Sequence, residues 1–281
     1  LSEKTGFIKS LYNKKTGEQV FTGDAAVPTI LEDRSDTWSH GVVRFGDDID
    51  MFKAKSVRLI ENGAVKSVIR VKSAYGNSSM IQDFTIYRAL PRIDVFTTID
   101  WREQFKMLKM RFPVNCIFDE ATFEIPYGYI RRMSNGAEVP GQSWVDISGK
   151  TPAGTKSGIS IINDSKYGYD VNGSIVSITI LRSPVYAHHD PKIIEPEKDY
   201  PFTDQGIHHF TYSLLPHQGD FLAAGTIQHA AEINQSPIVL VETYHDNGRL
   251  PMKDSFIIVS EDNIIISVIK KAEDSNALII R

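Results

Sequence analysis

The sequence predicts an all-β fold: an extensive antiparallel assembly of two large sheets packed face to face, with almost no helix. Three observations lead there. β-Branched and aromatic residues recur in short runs along the chain, a composition that suits a pleated, half-buried surface. Turn-forming steps such as Asn62-Gly63, Asn172-Gly173, Asp246-Asn247-Gly248 and Pro140-Gly141 punctuate those runs. No fixed-period repeat is visible, which disfavours propellers and solenoids.

Taken in order, the first hairpin pairs 55–61 with 64–71 around Asn62-Gly63; a type I′ turn needs positive φ at both central positions, and Asn-Gly supplies it. Strands follow near 79–87, 93–101, 105–112, 121–130, 143–147 and 157–162. A second hairpin joins 167–171 to 174–181 around Asn172-Gly173. The stretch 186–206, with Pro191, Pro196 and Pro201, reads as a long loop, and loops of that length in compact domains tend to carry function or mobility. Further strands are expected at 207–215, 225–232, 237–242, 255–259 and 263–269. One turn of helix fits around Phe221-Leu222-Ala223-Ala224, with Gly225 stopping it. The whole of 1–281 is read as a single β-sandwich domain, with a boundary to a smaller C-terminal β subdomain placed near 245–255.

Composition narrows the function classes. The 31 Lys+Arg against 35 Asp+Glu give a net charge of −4, so the chain lacks the basic footprint of a nucleic-acid or anionic-membrane binder. Hydrophobic residues at 41% and charged residues at 23% fit a packed globular protein. The lone Cys116, flanked by Val114, Ile117 and Phe118, excludes an internal disulfide and any multi-thiolate metal site and reads as a buried small hydrophobe. No apolar run approaches the roughly 18–20 residues that span a bilayer. Leu1-Ser2-Glu3-Lys4 has no signal-peptide pattern, and a cytoplasmic location is expected. Starting without Met and ending in Ala277-Leu278-Ile279-Ile280-Arg281, the chain reads as a piece of a longer polypeptide.

Several groups of residues could carry chemistry. His188-His189-Asp190 and His208-His209, with His217 beyond, offer imidazole and carboxylate for a transition metal. Neighbours on a strand point to opposite faces, however, so His208 belongs with Phe210, Tyr212 and Leu214 and His209 with Thr211 and Ser213. No metal site is therefore assigned within the chain. Arg182 ends a strand that alternates Val176, Ile178, Ile180 with Ser177, Thr179, which by parity puts it on the apolar face. A guanidinium there needs a partner: Asp190 or Asp204 in a structural ion pair, or a bound sugar or a neighbouring domain's active site. Asp36-Thr37-Trp38-Ser39-His40 gathers a carboxylate, an aromatic plate and an imidazole, the groups that cover the C–H faces and hydroxyls of sugars. No phosphate loop, serine elbow or His-Glu-x-x-His helix is present, and no carboxylate pair has the spacing of a glycosidase acid and nucleophile.

Segments spread along the chain nevertheless resemble one family in order and spacing. They are 5–17, Asp36-Thr37-Trp38, Ile99-Asp100-Trp101-Arg102-Glu103, Leu108 to Pro113, Phe123 to Gly128, Trp144-Val145-Asp146 and Asn163 to Tyr169. Leu181-Arg182-Ser183-Pro184, Asp204-Gln205-Gly206, Leu215 to Gly219, Ile269 to Asp274 and Leu278 to Arg281 continue the series. Together they resemble the C-terminal β region of glycoside hydrolase family 38, the retaining zinc-dependent α-mannosidases.

The resemblance implies a large β-supersandwich, of the kind shared with the galactose mutarotase-like superfamily, packed against an N-terminal α/β barrel and a helical bundle. It also implies that the nucleophilic Asp and the zinc ligands lie in those N-terminal parts, so that zinc is expected there and no cofactor here. This chain would supply scaffold and one wall of a pocket for mannose-containing glycans, with Arg182, Asp204, Asp36 and Trp38 nearest the sugar and no catalytic residue of its own. Two other readings stay open. One is a stand-alone carbohydrate-binding or interaction module. The other is a mutarotase-like aldose epimerase with His208 or His217 as acid and Glu124 or Glu232 as base.

Overall fold

The structure is a computed structural model that describes residues 1–188, 193–195, 197–244, 246–261 and 263–281. These form two compact units, Leu1–Gln235 and Ser236–Arg281. The larger unit is the expected pair of antiparallel sheets. One has nine strands in the spatial order Gly128–Met133, Glu120–Ile125, Trp144–Lys150, Lys156–Asn163, Gly206–His217, Ile93–Trp101, Ser78–Tyr87, Lys66–Tyr75 and Lys53–Asn62. The other has six: Val139–Pro140, Gly168–Asn172, Ile175–Arg182, Lys106–Pro113, Val27–Glu32 and Asp48–Met51.

Alternation along the strands builds the core between them. Val95, Ile99, Val145, Ile147, Ile159, Ile161, Phe210, Tyr212 and Leu214 come from the large sheet, and Ile30, Leu108, Met110, Phe112, Val176 and Ile178 from the small one. Side chains two residues apart share a face, so each strand contributes its apolar set to one side. Buried Tyr212 keeps its hydroxyl satisfied through Gln82, 3.0 Å away. Cys116 is buried as expected; its thiol donates to the Ser157 carbonyl at 3.2 Å, and burial, helped by Asp146, pushes its pKa up to about 11.

Both Asn-Gly hairpins form, with different turns from those expected. Around Asn62-Gly63 the loop takes residues 63–65, closed by the Gly63 N–H to the Lys66 carbonyl at 2.9 Å, and neither residue has positive φ. At the second hairpin Asn172 pairs with Ile175, so the central residues are Gly173 and Ser174. Gly173 alone takes a positive φ, 58°, as a turn with glycine at its first central position requires. The expected strand 121–130 is two strands, reversed at Pro126-Tyr127, where Tyr127 has φ 60°.

The largest departure lies at 225–232, expected as a strand. Residues Thr226–Asn234 form a helix, and Gly225, expected to stop one, is its N-cap at φ 66°. Ile227, Ala230 and Ile233 recur at helical spacing and pack on Trp144, Ile162, Leu215 and Phe221. The outer face of the large sheet thus acquires a cover that favours the 3.6-residue period over the 2-residue one.

In the smaller unit Ile269–Lys271 pairs with Leu278–Ile280. The stretches 237–242, 255–259 and 263–268, expected as strands, take no strand conformation. Strand propensity expresses packing against neighbours, and within these stretches backbone pairing begins only at Ser267 and Val268, which bond to Arg281.

Candidate functional site

The site develops on the outer face of the six-stranded sheet, at the end of Ile175–Arg182. Parity had put Arg182 on the apolar face; the structure corrects this. A β-bulge between Thr179 and Leu181 lets Ile180 and Leu181 both enter the core. Beyond it, Leu181 pairs with Leu108 and Arg182 with Met107. Arg182 therefore shares the outer face with Ser177 and Thr179. One inserted residue exchanges the faces of everything after it.

On that face the guanidinium is held from several directions. Its Nε donates to Asp33 Oδ2 at 2.8 Å; its Nη2 donates to Asp33 Oδ1 at 3.2 Å, to Ser35 Oγ at 2.6 Å and to the Asp36 carbonyl at 3.2 Å. The plane also lies 4.4 Å from the Phe45 ring centroid, a stacking that an ammonium could not reproduce. The Asp33 side chain is fully buried, whereas Arg182 keeps 20% of its side chain exposed. The pair is thus a buried anchor on a partly exposed arginine, whose Nη1 makes no hydrogen bond among the described residues. The sequence expectation named Asp190 or Asp204 as partner. Asp33 takes that place, Asp190 lies outside the described residues, and Asp204 instead accepts the Arg182 backbone N–H through Oδ2 at 2.9 Å.

Asp36 is near. Its Oδ1 accepts the Ser39 N–H at 2.7 Å, capping a turn in which Ser39 has φ 54°. Short bridges tie Asp36 to Val185 and Val185 to Phe202, stitching the 33–40, 184–187 and 202–204 loops around Arg182. Trp38 is 55% exposed on the same turn and leans on His40, ring centroids 6.4 Å apart. The four expected residues therefore share one loop cluster. Arg182 and Asp204 line one cavity of about 350 Å³ with Thr37, Lys166, Tyr167 and Thr203. Asp36 lines another of about 360 Å³ with Arg34, Ser35, His40 and His188.

Asp33, Ser35, Phe45 and Lys166 escaped the sequence reading. Asp33 and Ser35 sit just ahead of Asp36, and the sequence offered no sign that a residue far along the chain would claim them. The remaining outer face is also ionic. Buried Lys109 pairs with Asp170 and Glu138, and burial lowers its pKa while Asp170 opposes the shift.

The histidines do not converge. His208 Nε2 lies 2.8 Å from the Asp204 carbonyl, and exposed His209 stacks on Phe96. His217 is buried against Asp146 at 2.7 Å; a Cβ on Gly158 would lie 2.3 Å from its Cε1, so only glycine fits opposite it. Glu124 is bonded to Ser143, and Glu232 to Arg92 and His229, so the structure joins neither glutamate to His208 or His217. His189 lies outside the described residues. Among the described residues no three His, Cys, Asp or Glu side chains group to hold a metal ion, and no helix is long and apolar enough to cross a membrane.

Comparison with known proteins places this architecture. Residues 1–192 match the profile of the "Glycosyl hydrolases family 38 C-terminal domain". α-Mannosidase G of Dictyostelium discoideum is 28% identical over 98% of this chain and 26% of its own length. Human α-mannosidase 2C1 is 31% identical over 71% of this chain and 18% of its own length. An α-mannosidase crystal structure from Enterococcus faecalis V583 superposes with a TM-score of 0.76 at 17% identity, covering 96% of this chain and 34% of that one. The chain thus spans about a quarter or less of the length of the curated relatives it matches.

Proposed function

The chain belongs to the glycosyl hydrolase family 38 C-terminal domains, and on that premise we propose that it is the non-catalytic β part of a retaining, zinc-dependent α-mannosidase acting on mannose-containing glycans. The observation that carries this reading is the held guanidinium of Arg182. Asp33 neutralises it, Ser35 and Phe45 orient it, and Nη1 remains to donate to a sugar oxygen. A donor fixed before the ligand arrives costs little reorganisation when charge or hydroxyls meet it. Asp204 beside it is the corresponding acceptor, and the Asp36–Trp38 turn forms the rim.

In this reading the N-terminal catalytic part of the same polypeptide supplies the nucleophilic carboxylate, the acid–base carboxyl and the zinc ligands; no residue of this chain is assigned to the metal. The reaction is a double displacement through a glycosyl-enzyme intermediate. When bound, zinc would hold sugar hydroxyls and favour ring distortion. This chain's share is to orient the sugar and exclude water from one wall. A cytoplasmic location accords with the single cysteine, which needs no oxidising compartment.

The test compares two proteins. The isolated chain is expected to hold no stoichiometric zinc and to release no aglycone from an aryl α-mannoside, whereas the longer natural polypeptide does both. In that polypeptide Arg182→Met should lower kcat/KM by about 10- to 100-fold, the usual consequence of losing a charged hydrogen bond. Turnover by the isolated chain that survives repurification and disappears on chelation would overturn the scaffold role. An Arg182→Met enzyme with unchanged kcat/KM would remove Arg182 from the pocket.

A further inference from the structure

The cavity at Arg182 contains a second cation that the reading above does not use. Lys166 leaves a tight turn whose backbone is set by Asn163: the buried amide oxygen accepts the N–H groups of Ser165 at 3.1 Å and Lys166 at 2.6 Å. That turn sends the Lys166 side chain over the buried Phe210 ring, with Nζ 5.1 Å from the centroid. Lys166 makes no ion pair among the described residues. Burial lowers its pKa, with Asp204 and Asp164 opposing the shift from beyond ion-pair distance. A half-buried ammonium on a residue that lines a cavity, leaning on a ring and without an ion-pair partner, is short of an oxygen acceptor.

The same cavity of about 350 Å³ presents complementary groups. Arg182 commits Nε and Nη2 to Asp33, Ser35 and the Asp36 carbonyl, which leaves Nη1 as donor. Asp204 commits Oδ2 to the Arg182 N–H and holds its backbone at φ 52°, a conformation costly for a non-glycine residue. Its Oδ1 remains as acceptor. Tyr167, 48% exposed, adds an aromatic face.

We propose that this cavity is a pyranose subsite in which Lys166 determines specificity by donating to one ring hydroxyl while Arg182 and Asp204 engage its neighbour. The proposal rests on the reading of Arg182 and Asp204 as sugar-facing and adds Lys166 to it. Two separate donors, one acceptor and an aromatic plate suit vicinal hydroxyls on a ring with an apolar C–H side. An anion is a poorer match, because Asp33 already neutralises Arg182 and Asp204 adds a negative charge beside Lys166.

Saturation-transfer NMR on the 281-residue chain with methyl α-D-mannopyranoside tests it, using inorganic phosphate as competitor. The chain should transfer saturation to the sugar, and phosphate should not displace it. Lys166→Met keeps the stem over Phe210 and should weaken binding by about tenfold, with partial recovery in Lys166→Arg, as expected for loss and return of a charged donor. Lys53→Met, remote on the edge strand, should leave binding unchanged. Wild-type affinity in a folded Lys166→Met chain, or displacement by phosphate at the sugar's own concentration, overturns the subsite. Binding lost in Arg182→Met but kept in Lys166→Met removes Lys166 alone and leaves the Arg182 reading standing. If no saturation transfer occurs at all, the subsite falls, while the activity comparison of Arg182→Met still decides the Arg182 reading by itself.

Discussion

The two sheets turn different outer faces away from their shared core. On the nine-stranded sheet, Trp144, Ile162 and Leu215 are sealed by Phe221 and the helix Thr226–Asn234. On the six-stranded sheet the outer face is ionic: Lys109 lies between Asp170 and Glu138, and Arg182 rests on Asp33. The arginines of the two faces make the contrast specific. Arg92, 9% exposed, commits Nε to Asp94 and Nη1 to Glu232 and His229, and so pins the helix. Arg182 keeps 20% of its side chain exposed and lines a cavity. An arginine buried between the sheet and the helix is a fastener, whereas one that keeps more of its side chain exposed at a cavity is placed to meet something else.

Both faces are nevertheless internally organised, and they should fail differently. The largest effect is expected at the ionic face. Lys109→Met strands Asp170 and Glu138 without their cation, at a cost of about 4 kcal/mol, read as a fall in the urea midpoint with little change in slope. A triple variant that also carries Asp170→Asn and Glu138→Gln should recover most of it. If Lys109→Met is neutral by itself, the network contributes nothing to stability and the contrast between the faces collapses.

On the sealed face, Phe221→Ala removes the ring stacked on Trp144 at 5.0 Å and should cost about 3 kcal/mol. Its distinguishing sign is local. Amides of Thr226–Asn234 should exchange faster, while those of Ile175–Arg182 keep their protection. Uniform acceleration across both sheets would show that the helix is part of one cooperative unit with the sandwich.

The smallest effect is set by pH. Burial favours the protonated form of Glu232, yet its bonds to Arg92 and His229 outweigh this and hold its pKa below the ordinary 4.5. Because the folded value is depressed, the contribution is present above pH 4.5 and is lost as pH falls through the lower folded value. Glu232 is 54% exposed, so the loss should stay under about 1 kcal/mol. Faster amide exchange of the helix in acid, after correction for the intrinsic rate and absent in Glu232→Gln, is the expected outcome.

Much of this protein was legible in its residues. Period-2 alternation is local, and it marked the strands of the sandwich and the inward set of Gly206–His217, where Phe210, Tyr212 and Leu214 are all core. The family resemblance was legible too, and it named Arg182, Asp204, Asp36 and Trp38 as pocket candidates without showing that their loops meet. Three features were not. The bulge at Thr179/Leu181 changes which face Arg182 occupies, and only pairing with Lys106–Pro113 reveals it. The helix at 226–234 exists because a sheet face needed cover, and a short apolar segment does not declare its period until it meets that face. Asp33 became the anchor of Arg182 because Val27–Glu32 and Ile175–Arg182 flank the same central strand, Lys106–Pro113. Sequence by itself determined the pattern of burial, since that depends on neighbours one and two residues away. Tertiary structure alone decided partners, register and the face that Arg182 occupies, since those depend on residues brought together from distant parts of the chain.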